Sequence, residues 1–104
     1  MPDQQQQQEF AEGLRNVKRA IVEALADIQI QANEANVTHA PNWQLGRDIP
    51  VAIEMIVAPP GAPVVVANFS REQIEDSWQR LERPDVRQIV RSIEGRYRQL
   101  REQG

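Results

Sequence analysis

Residues 51–76 read VAIEMIVAPPGAPVVVANFSREQIED, and this stretch decides the fold. Val51, Ile53, Met55 and Val57 alternate with Ala52, Glu54 and Ile56, the period-two pattern of a strand with one strongly apolar face. Residues 58–63, APPGAP, lack the backbone donors and the φ freedom to continue a ladder, so they read as a turn. Val64, Val65, Val66 and Ala67 then form a second, β-branched strand, which makes the pair a hairpin. A helix start follows at once. Ser70 is a suitable N-cap, Gln73 three residues later completes a capping box, and Phe69 and Ile74 hold the two positions of a hydrophobic staple. Ile74, Trp78 and Leu81 share a face of the helix this start predicts.

On the N-terminal side, residues 9–33 have helical periodicity. Phe10, Leu14, Val17, Ile21, Ala24 or Leu25, and Ile28 recur in steps of four and three, with Gly13 as the weak point of the stripe. Residues 1–8 are expected to be a disordered tail, since the five consecutive glutamines Gln4 to Gln8 offer nothing apolar to bury. Residues 33–48 are irregular, although Trp43 and Leu45 alternate with polar neighbours as a short additional strand would. On the C-terminal side, Pro84 closes the preceding helix at Arg83 and suits the first turn of the next. Val86, Ile89, Val90, Ile93, Tyr97 and Leu100 then form a stripe running almost to the end of the chain. The expectation is a helix-rich single α+β domain over residues 9–104, ordered helix, β-hairpin, helix, helix. The hairpin becomes a three-stranded meander if the Trp43 region pairs with it.

With 104 residues there is room for one domain. The chain has no cysteine, which removes disulfides, thiolate nucleophiles and sulfur-ligated zinc. Its most apolar run, residues 51–58, is interrupted by Glu54 and falls far short of the ~20 residues a membrane helix needs. No charged start followed by an apolar stretch marks a secretory signal, so the expected location is cytoplasmic, with no membrane partner. Net charge is −3, with the acidic excess in residues 1–69 and eight arginines against seven acids in residues 70–104. Neither half is a polycation, so the long-range field of a strong nucleic-acid binder is missing. Lys18 is the sole lysine, a bias that points to a GC-rich, bacterial or phage source.

Catalytic machinery is sparse. His39 is the only histidine and sits before Pro41 in a loop. Of the serines Ser70, Ser77 and Ser92, the first is already accounted for as a cap and none occupies a nucleophile elbow. Glu72, Glu75 and Asp76 read as a solvated face near a helix N-terminus, and Glu54 as the outer side of its strand. No metal-ligand spacing or phosphate-cradling glycine loop occurs, so neither catalysis nor a cofactor or metal is expected.

The candidate contact residues are Arg87, Arg91, Arg98 and Arg101, which fall on one stripe flanking the core face of the last helix, interrupted by Glu94. Trp43 is a candidate aromatic anchor, and the 58–63 turn a third contact. A lone hairpin leaves two unpaired edges, which favours a second copy of the chain as partner. The expected function is therefore a non-catalytic interaction or regulatory module that forms a homodimer. The alternative is a DNA-binding regulator. Residues 64–100 resemble the ribbon-helix-helix unit in their strand, helix, helix order, which would imply base reading by the strand. Valine and alanine on that strand carry almost no hydrogen-bond code, however.

Overall fold

A computed structural model describes residues 3–103; Met1, Pro2 and Gly104 lie outside the described residues. The order is α1 (Gln4–Asp27), a 3₁₀ turn (Glu34–Asn36), β1 (Val37–Ala40), β2 (Ala52–Val57), β3 (Val65–Ser70), α2 (Arg71–Glu75) and α3 (Pro84–Gln103). The strands form one antiparallel sheet in the order β1-β2-β3. This is the expected α+β domain, with its hairpin extended to a three-stranded meander.

The inward positions are Val37, then Ile53, Met55 and Val57, then Val65 and Phe69, all buried as strand alternation requires. The helices bring Phe10, Leu14, Val17, Ile21 and Leu25 from α1 and Val86, Val90, Ile93 and Tyr97 from α3 to the same core. Tyr97 reaches the hairpin turn, where its hydroxyl donates to the Pro63 carbonyl at 2.6 Å and contacts that of Val57 at 3.3 Å. The hairpin is thereby fastened to the C-terminal helix.

Five expectations change. First, Gln4 to Gln8, expected within a disordered tail, form the start of α1. Asp3 is an N-cap, its carboxylate accepting from the Gln5 N–H at 2.9 Å. Gln7 is buried because its amide bridges the 44–48 loop: Nε2 donates to the Arg47 carbonyl and Oε1 accepts from the Gly46 N–H, each at 2.6 Å. A polar side chain anchors as well as an apolar one when both its ends are bonded.

Second, α1 stops at Asp27 rather than near 33. Gln29 takes a left-handed φ of 65°, and the N–H groups of Gln29 and Ile30 bond back to the carbonyls of Ala26 and Leu25. That is a Schellman termination built without glycine. Third, the additional strand is Val37–Ala40, one segment earlier than the Trp43 region. Fourth, the second strand runs on to Ser70, which serves both as its last residue and as the cap of α2.

Fifth, α2 is five residues long and does not reach Trp78 or Leu81. Its capping box forms as expected, with Ser70 and Gln73 bonded reciprocally at 3.1 and 2.9 Å. Beyond it, the Asn16 amide of α1 donates to the carbonyls of both Ser77 and Trp78 at 2.9 Å, and Ser77 Oγ donates to the Gln73 carbonyl. The N–H groups of Ser77 and Trp78 bond back three residues, to Ile74 and Glu75, rather than four, so the helix tightens and ends and Trp78 stands outward at 42% exposure.

Candidate functional site

All the buried strand positions face the helices, so the opposite side of the sheet lies open. Cross-strand partners there form two rows, Thr38–Ile56–Val66 and Ala40–Glu54–Asn68. Val66 is 45% exposed, Ile56 is partly covered, and Glu54 stands outside as strand alternation predicts. Val64, 58% exposed, precedes β3 and continues the apolar strip past its first residue. The sheet edges are β1, four residues long, and β3, six residues long; no further strand pairs with either among the described residues. This open face and its long edge are left without a partner among the described residues.

The arginines expected to form a contact stripe do project from one side of α3, and all four are exposed. Two are engaged within the chain. Arg87 Nε donates to the Leu81 carbonyl at 2.7 Å, and Arg98 pairs with Glu94 at 2.8 Å one helical turn away. Arg91 and Arg101 form no ion pair among the described residues. The stripe is thus thinner electrostatically than its count of arginines suggests.

Trp43, a candidate aromatic anchor for which packing over the core is the favoured reading of the sequence, is buried. Its ring meets Phe10 edge-on at 4.9 Å, and its indole N–H donates to the Arg47 carbonyl at 3.0 Å. The bidentate hold of Gln7 on the same loop explains why this tryptophan turns inward. In the sequence Trp43 and Leu45 alternate as a strand would, but the strand forms at Val37–Ala40 and that alternation does not give the direction of the tryptophan.

One constellation went unread in the sequence. His39 is not in a loop but on β1, facing inward at the sheet edge beside Met55. There Lys18 of α1 donates from Nζ to His39 Nδ1 at 2.9 Å, and His39 Nε2 lies 3.4 Å from the Trp43 carbonyl. An ammonium offers no acceptor, so Nδ1 must carry the lone pair and Nε2 the proton. Burial lowers the His39 pKa first, and the adjacent Lys18 charge lowers it further, while the bond to the Trp43 carbonyl works in the opposite sense. Burial also lowers Lys18, partly offset by the field of Glu34. The pair was legible only as two facts: Lys18 borders the apolar stripe of α1, and His39 alternates with Val37.

No protein family, curated protein or solved structure matches this chain.

Proposed function

We propose that this chain is a non-catalytic interaction module, of a bacterial or phage cytoplasmic system, that self-associates through its sheet. The observation that carries the reading is the strip of exposed Val64 and Val66 with partly covered Ile56, on a sheet whose other face packs against the helices. Size rules out the open face as a complete interface. Three strands spaced ~4.8 Å apart, with about five residues of ~3.3 Å each, present a face of only about 250 Å². A stable interface needs about 800 Å² from each partner. Face-to-face stacking is therefore too small by itself. Antiparallel pairing of β3 with β3 of a second copy adds a ladder of backbone hydrogen bonds. It also makes one six-stranded sheet and joins the two apolar strips, so it is the arrangement the strand order favours.

The DNA-binding alternative finds less support. The strand that would enter a groove, β3, has Val65, Ala67 and Phe69 turned into the core and offers Val66 and Asn68 outward. The following helix has five residues, and two of the four candidate arginines on α3 are bonded within the chain.

Light scattering after size exclusion should give a mass of two chains for the wild type. Val66→Glu places a charge on the joined strip at a position already 45% exposed, and should give a folded monomer of unchanged circular dichroism. Arg91→Glu should remain a dimer. A wild type that stays monomeric at every concentration overturns the reading, as does a Val66→Glu variant that remains dimeric.

A further inference from the structure

The Lys18–His39 pair forms the floor of an open cleft of about 540 Å³ between α1 and the segment running from the 3₁₀ turn to Leu45. That volume lies within the range of small-ligand sites, roughly 300–1,000 Å³. Its walls are chemically divided. Ala11 and Leu14 of α1 and Leu45 across from them are apolar, and Leu45 is 63% exposed with nothing packed over it. The floor is cationic.

The charge on that floor has no carboxylate in direct contact among the described residues. Lys18 is partly buried, yet among the described residues the only side chain it bonds is an uncharged imidazole. Among the described residues no carboxylate forms an ion pair with it; Glu34, the nearest acidic wall residue, pairs with Arg19 at 3.6 Å. Arg15 also lines the cleft and is held at its rim by Glu12 at 3.3 Å. The field of Glu34 offsets only part of the desolvation of the Lys18 ammonium, and its hydrogen bond goes to a neutral base, so an acceptor and an opposite charge in direct contact are both wanting. A ligand that supplied both would be bound by this floor.

We propose that the cleft binds a small monocarboxylate, its carboxylate on Lys18 Nζ with Arg15 alongside and its hydrocarbon body against Leu14 and Leu45. The single partly buried cation matches a monoanion. The apolar walls match a hydrocarbon chain rather than a phosphate, which needs several donors around it. The larger concavity, formed by residues 29–33, Asn36 and residues 60–62, contains no ionisable side chain and lacks this selectivity. The downward pull of burial on the Lys18 ammonium agrees, since a bound carboxylate reverses it. The proposal is independent of self-association, because the cleft lies on the helix side of the sheet.

Trp43 lines the cleft and Trp78 does not, so a Trp78→Phe protein carries one tryptophan at the site. Hexanoate added to this protein should produce a saturable change in tryptophan fluorescence, whereas neutral hexanamide should produce none at the same concentrations. Lys18→Gln in that background, checked for fold by circular dichroism, should weaken hexanoate binding at least about tenfold, the loss expected for one charge-assisted hydrogen bond. Proton NMR of the His39 ring supplies a second readout: its signals should move with hexanoate along the same saturation curve. The proposal is overturned if hexanoate gives no saturable change, if hexanamide binds equally well, or if Lys18→Gln binds hexanoate with wild-type affinity.

Discussion

At position 13 the absence of a side chain is what lets α1 meet α2. A Cβ added to Gly13 would lie 1.8 Å from the Ile74 carbonyl oxygen, an atom fixed by the backbone of α2. In the sequence the same glycine reads only as a weak point, since glycine within a helix costs about 0.5–1 kcal/mol relative to alanine. Close approach of the two helices offsets that cost. Gly95, in the middle of α3, has open space where a Cβ would stand. Identical substitutions should therefore act in opposite directions. In urea titrations Gly13→Ala should lose about 1–3 kcal/mol or more through overpacking, and Gly95→Ala should gain about 0.5–1 kcal/mol. Stabilisation by both would show that α1 and α2 are not in contact at Ile74.

Between elements, the contact of α1 with β1 is the one that titrates near neutrality. The groups facing the His39 imidazole are the Lys18 ammonium of α1 and the Trp43 carbonyl, with Arg15 and Glu34 on the cleft walls. Its pKa in the fold lies below the ordinary 6.5, so the unfolded chain takes up the proton first. The contribution of this contact is complete above 6.5 and is lost as pH falls through the folded value. The melting temperature should decline on acidification from about pH 7 to 5, where histidine titrates, and the decline should flatten in His39→Gln. A wild-type melting temperature that is level over this interval removes the contact from the account. Asp85, held below its ordinary 3.8 by hydrogen bonds from Gln73 and then Arg83, loses its contribution only at more acid pH. The two acid effects fall in separate windows.

The elements also differ in how far the sequence revealed them. The α2 start was plain because a cap, its reciprocal glutamine and the staple all lie within six residues of one another. Its end was hidden because the turn that follows it is pinned by Asn16, 61 and 62 residues away in the chain, which donates to the Ser77 and Trp78 carbonyls. The end of α1 was hidden for a local reason: a glutamine holds the left-handed position where glycine is the usual signal.

For the whole molecule, the decisive asymmetry is that every helix packs on one side of a three-stranded sheet. If β3 pairs across two copies, folding and association are linked, and the melting temperature should rise with protein concentration in the wild type. It should be independent of concentration in Val66→Glu. A constant wild-type value would mean that the sheet is stable without a partner. The arginine stripe of α3 remains a second surface, with Arg91 and Arg101 as the members that form no ion pair among the described residues.

Period and punctuation in the chain were enough to determine the α+β class, the hairpin, the start of α2, the proline opening of α3 and the apolar stripes of both long helices. Each of these follows from residues close together in sequence, where side-chain spacing maps directly onto one face of an element. Only the tertiary structure decided that Gln7 is an anchor, that Trp43 is core while Trp78 is surface, and that Lys18 and His39 meet. Those outcomes depend on which distant backbone groups a polar side chain satisfies. Such partners are chosen by the packing of whole elements, and no local pattern encodes them.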